Sequence, residues 1–100
     1  MRDDIIFEVE DKTNRKIRLT KTQWEHITIT HQDMNKYLNE IKETVEDPIK
    51  TLPHESSEEL KKYFTYLKHR EHPNRYLRVI IKYLNGDGFI ITAHFTRTIK

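Results

Sequence analysis

Arg78 and His94 lie in two stretches, Tyr76 to Tyr83 and Phe89 to Phe95, whose alternating apolar and polar residues have the period of β-strands. Between them Asn85-Gly86-Asp87-Gly88 is a hairpin turn signal, too short for a calcium loop. Placing Val79 across from Ala93 sets Leu77 against Phe95 and Ile81 against Ile91, with Asn85-Gly86-Asp87 as a three-residue loop. Arg78 is then directly opposite His94, with Thr92 beside them. A one-residue slip would set Arg78 against Phe95 and Lys82 against Ile91, mixing cations with core. The favoured register therefore gathers Arg78, Lys82, Thr92, His94 and Thr96 on one face, together with Tyr76 and, from the preceding strand, Tyr66; Arg97 follows directly.

These residue types suit a phosphodiester. Arginine presents a planar fork of donors to phosphate oxygens, lysine a point charge, and tyrosine rings stack unpaired bases. Metal-free RNA cleavage needs a base for the 2′-hydroxyl proton, a cation for the charged phosphorane and an acid for the leaving 5′-oxygen. His94 titrates near neutrality and Arg78 is the cation. The plainer reading is a solvated strand face on which histidine and threonine have no chemical task.

Two further histidines precede this sheet. His26 and His31, five residues apart, would be rotated by about 140° on one continuous helix. A break near Thr30 would instead put His31 at the start of a second helix, where main-chain N–H groups attract anions and the dipole lowers an imidazole pKa. His69-Arg70-Glu71-His72 lacks the metalloprotease spacing, and no metal or cofactor is expected. With no cysteine, thiolate metal sites, thiol nucleophiles and disulfides are excluded. Trp24 reads as a core or edge aromatic.

The elements that must position these groups are legible in outline. Ile5 to Val9 and Lys16 to Leu19 alternate as an opening hairpin around the polar stretch Asp11 to Arg15. Thr20 and Gln23 form a capping box for a short helix through Trp24 and Ile27 to about residue 29. Thr30 and Asp33 are candidate caps for a second helix. In it Met34, Tyr37, Leu38, Ile41 and Val45 line one side at 3.6 residues per turn, and Asp47-Pro48 stops it. A short strand, Ile49 to Leu52, and a loop, Pro53 to Ser57, follow. Residues 58–68 fit either a helix or a strand, with Lys62 to Leu67, rich in strand formers, favouring the latter.

One hundred residues with 35 % apolar content make one domain with a modest core. The charge is divided by position. Residues 1–60 hold 9 Lys/Arg and 14 Asp/Glu, a net of −5; residues 61–100 hold 9 and 2, a net of +7. The basic part also carries seven of the nine Tyr and Phe residues, which suits a polyanionic partner. Met1 to Asp4 has no apolar signal core and no apolar run nears the roughly 18 residues that cross a bilayer, so a cytoplasmic protein with no membrane partner is expected.

Trp24-Glu25-His26-Ile27, His31, the helix ending in Asp47-Pro48, and Tyr76 through Phe95 together resemble the small phage-type branch of the barnase–EndoU–colicin–RelE-like ribonuclease superfamily, over roughly residues 17–99. The elements sum to an α+β fold, and the resemblance implies an antiparallel sheet of about four strands packed against two amino-terminal helices, here preceded by a short hairpin. It also implies metal-independent RNA cleavage of toxin type. By position His26 and His31 would be helix-borne site residues, Arg78 the strand cation, and Thr92 with His94 the terminal-strand pair. Tyr66, Tyr76, Lys82, Thr96 and Arg97 would then contact RNA. The alternative is a non-catalytic module that binds RNA, or one whose basic sheet meets an acidic antitoxin or immunity protein.

Overall fold

The computed structural model describes residues 4–100; Met1, Arg2 and Asp3, part of the amino terminus read above, lie outside the described residues. Six strands form one sheet: β1 (Ile5–Glu10), β2 (Lys16–Thr20), β3 (Lys50–His54), β4 (Ser57–Tyr66), β5 (Tyr76–Leu84) and β6 (Asp87–Thr96). Helices α1 (Lys21–Thr30) and α2 (Leu38–Glu46) lie between β2 and β3. The strand order is β1-β2-β6-β5-β4-β3. The expected four-stranded antiparallel sheet is therefore wrong. The opening hairpin does not stand apart from the main sheet: β2 pairs parallel to β6 through Ile17–Gly88 and Arg18–Phe89, making a six-stranded mixed sheet.

Gly88 explains how β2 comes so close. A Cβ at that position would lie 2.5 Å from Ile17 Cδ1 and 3.0 Å from Ile81 Cγ2, so only glycine leaves space for the fully buried Ile17. Ile17 and Leu19 of β2 join Leu77, Val79, Ile81, Ile90 and Ala93 in one core, closed by Ile27, Met34, Ile41 and Val45 from the helical segment. That core occupies one face of the sheet.

The second helix is not continuous. Gln32–Lys36 is a 3₁₀ turn, Tyr37 breaks the chain at φ −119°, and α2 begins only at Leu38. Met34 and Tyr37 are three apart, a spacing that a 3₁₀ turn satisfies as well as an α-helix. The break carries the Tyr37 ring edge-on to Phe95, 4.9 Å between centroids. Neither Thr30 nor Asp33 caps anything: residues 31 and 37 occupy the cap positions, without side-chain hydrogen bonds. The helix does end before Pro48, with Asp47 as its cap residue. Likewise β3 runs on through Pro53 to His54, and only Glu55 and Ser56 turn into β4.

A buried carboxylate pins the β1–β2 turn to the sheet. Asp11 Oδ1 accepts from the Thr13 main chain at 2.8 Å, the Thr13 hydroxyl at 2.6 Å and the Arg15 main chain at 3.1 Å. Tyr83 donates to Oδ2 at 2.7 Å, and the Tyr63 hydroxyl lies 2.6 Å from that of Tyr83. Burial pushes the Asp11 pKa up, but the hydrogen bonds from Thr13, Tyr83 and Arg15 outweigh it and hold the carboxyl below its usual range. Burial raises both tyrosine pKa values. Asp11→Ala orphans several buried donors at once, and its cost in chemical denaturation should be about 3 kcal/mol or more. Tyr83→Phe, which leaves Tyr63 to reach the carboxylate, should cost about 1 kcal/mol.

Candidate active site

Register decides the site. Leu77 pairs with Phe95, Arg78 with His94, Val79 with Ala93 and Ile80 with Thr92, as the apolar pattern demands. Towards the turn the expected ladder fails, because Ile81 pairs with Ile90 and Lys82 with Phe89. Ile91 has no partner and forms a β-bulge. The expected three-residue loop is a two-residue turn, with Asn85 at φ 55° and Gly86 at φ 88° between the paired Leu84 and Asp87. Both central residues of a type I′ turn need positive φ, and Asn-Gly supplies them at low cost. The turn shortens the loop by one residue and the bulge adds one back. Past the bulge the inward residue is Ile90, 2 % exposed, rather than Phe89 or Ile91.

The bulge also anchors α1. Beyond Phe89, β6 has β5 on one side and no strand on the other, and α1 follows β2 along that open edge. Thr20 caps the helix by accepting from the Gln23 main chain at 3.2 Å. The Gln23 side chain does not reach back to Thr20 as a capping box implies; its Nε2 donates to the Ile91 carbonyl. Running along the edge, α1 brings His31, just past its end, to the face that carries His94, with the two rings 5.3 Å apart.

His31, Arg78 and His94 thus converge from three elements. Arg78 Nε donates to His94 Nε2 at 2.8 Å, its Nη2 approaches the same nitrogen, and its Nη1 donates to the Lys100 main-chain oxygen at 3.1 Å. Three of the five guanidinium N–H donors are engaged, and two are left for a ligand. A nitrogen that accepts from arginine carries no proton, so His94 is the Nδ1–H tautomer. Burial lowers its pKa to about 4, aided by the Arg78 charge and by His31. At neutral pH His94 is a neutral ring that orients Arg78. His31 caps a 3₁₀ turn of five residues, not an α-helix, so the expected helix-start anion site is absent there.

The other expected residues divide into neighbours and outliers. His26 and Thr92 line one open cleft of about 390 Å³ with Gln23, Ile27, Thr30 and Ile91. Thr92 is two residues from His94 on the same face, so this cleft adjoins the Arg78 cluster. Tyr66 and Tyr76 are cross-strand partners with ring centroids 5.0 Å apart. Thr96, opposite Tyr76, turns its hydroxyl to the Thr98 carbonyl at 2.8 Å. Arg97 is exposed and has no hydrogen-bond or ion-pair partner among the described residues. Lys82 is not part of the cluster: it sits four residues from Arg78, about 13 Å along the strand, and its Nζ is 3.9 Å from Glu59 Oε2.

Sequence reasoning missed Gln23, whose sequence signal was spent on the capping box, and Arg70, which it left in a polar connection. Arg70 lies over the Phe95 ring at 3.6 Å and pairs with Asp33 at 2.9 Å, tying the 67–75 connection to the 3₁₀ turn. No group of three or more metal-ligating side chains occurs among the described residues. No helix among them is long and apolar enough to cross a membrane.

The folded-state pKa of His94 lies below its unfolded value of 6.5, so the unfolded chain binds more protons between about pH 6.5 and 4. His94 therefore withdraws stability as pH falls through that window. His94→Gln, which keeps an acceptor without titrating, should lose up to about 2 kcal/mol less than the parent between pH 7 and 4.5 in matched urea titrations. Comparison of the chain with protein-family models, curated proteins and solved structures finds no match in any of the three. The superfamily resemblance rests on the residues quoted for it.

Proposed function

We propose that the protein is a metal-independent RNA endonuclease of toxin type, acting on the face built by His31, Arg78 and His94. The observation that carries this reading is the convergence of two imidazoles and one guanidinium, from three elements, on a partly exposed surface beside two tyrosines whose rings meet at a tilt of 58°. His31 takes the proton of the 2′-hydroxyl, whose oxygen attacks phosphorus. The bond to the 5′-oxygen breaks, and a 2′,3′-cyclic phosphate remains. His26, across the adjoining cleft, gives the leaving oxygen its proton. Arg78 supports the extra negative charge of the phosphorane with its two remaining donors. His94, neutral and hydrogen-bonded to Arg78, fixes the guanidinium plane and exchanges no proton. An acidic antitoxin or immunity protein would close such a site by covering its cations.

A second reading, RNA binding without turnover, is favoured by one observation: Arg78 is already held by His94 and by the Lys100 oxygen. RNA incubated with pure protein in EDTA separates the two. Cleavage leaving cyclic phosphate ends is expected, reduced about 10²- to 10⁴-fold by His31→Ala and about 10²- to 10³-fold by Arg78→Ala in variants with unchanged circular dichroism. His94→Gln should lose less than Arg78→Ala. Salt-sensitive binding with intact RNA across a broad substrate panel would establish the second reading instead.

A further inference from the structure

A cavity with a mainly apolar lining lies outside the Arg78 cluster. It opens where β4 ends, holds about 450 Å³, and is lined by Tyr37, Glu40, Tyr66, Leu67, Lys68, His69 and Arg70. That volume falls in the range of small-ligand sites. Tyr66 belongs to both places: it lines this cavity, and its ring is 5.0 Å from Tyr76, which is two residues from Arg78 on the same face of β5. Tyr76 stands about 7 Å along β5 from Arg78, and Tyr66 is its partner across the ladder, so the cavity borders the Arg78 face. A base attached to a phosphate at Arg78 is within reach of it.

The polar groups in this cavity are unequal. Arg70 is committed to Asp33, to the Asn74 carbonyl and to the Phe95 ring. The half-buried Glu40 carboxylate has no hydrogen-bond or ion-pair partner among the described residues. A carboxylate accepts and, when ionised, cannot donate. A flat ligand in this cavity must then offer N–H groups to Glu40. Adenine, cytosine and guanine each carry an exocyclic amine on the Watson–Crick edge. Uracil offers one N–H between two carbonyl oxygens, which the carboxylate repels.

We propose that this cavity is a base-recognition subsite for an amino-bearing nucleobase, with Tyr66 as the stacking surface and Glu40 as the group that rejects uracil. The proposal rests on the RNA reading of the Arg78 face and names the base next to the bound phosphate. It gives Glu40 a role in specificity and none in proton transfer.

The test uses two independent readouts on the intact protein. In NMR titrations, CMP, AMP and GMP should shift the Tyr37, Tyr66 and Glu40 signals at least five-fold more strongly than UMP at equal concentration. Glu40→Gln, which offers a donor as well as an acceptor, should bring UMP to within about two-fold of CMP. Uniform response to all four nucleotides, or shifts confined to other surfaces, would overturn the subsite. Cleavage of oligonucleotides varied at one position supplies the second readout. Cleavage without base preference would sink the subsite and leave the endonuclease intact, whereas selective mononucleotide binding with no RNA cleavage would sink the endonuclease and leave the subsite.

Discussion

The pairing of β5 with β6 is the constraint from which the site follows. Strand side chains alternate faces, so a single-residue change in register would exchange the core set for the polar set. The tight Asn85-Gly86 turn imposes one parity near the hairpin end, and the apolar residues Leu77, Val79, Ala93 and Phe95 impose the other further along. The bulge at Ile91 reconciles the two. Without it, either the turn would be strained or Arg78 and His94 would part. A bulge also twists the strand and frees its backbone from the ladder, and the Gln23 side chain bonds the Ile91 carbonyl there.

That one contact links local backbone geometry to the placement of a whole helix. With β2 pairing to β6 only near Gly88, the remainder of the β6 edge is open, and α1 runs along it with Ile27 as its one fully buried side chain. A helix with so small an apolar face gains little from packing and depends on its cap and edge contacts for position. The arrangement delivers His31 to the far side of the sheet, which a helix packed flat on the core would not do. At the opposite end Asp11, Tyr63 and Tyr83 fasten the β1–β2 turn through a saturated buried network, rigid and without a free group for chemistry.

Much of this was legible in the residues. The Arg78–His94 pairing followed from apolar complementarity between two strands, carried by Leu77 opposite Phe95 and Val79 opposite Ala93. The turn length and the bulge were hidden, since one residue removed and one added leave the far register unchanged. The parallel pairing of β2 with β6 was hidden for another reason: it rests on two residue pairs and on the absent side chain of Gly88. Periodicity reports which face a residue takes, not which strand lies beside it. The break at Tyr37 escaped for a related cause, because residues three apart satisfy both helical geometries. Proton affinities were beyond reach altogether. His94 looked like a base titrating near neutrality, and its burial beside Arg78 moves that titration down to about 4.

The most direct test of this account is the tautomer of His94, read by ¹⁵N NMR of the folded protein at neutral pH. The structure requires a proton on Nδ1, a bare Nε2, and a through-hydrogen-bond coupling from Arg78 Nε to that nitrogen. A protonated Nε2, or a doubly protonated ring at pH 7, would contradict the pairing and the functional face built on it.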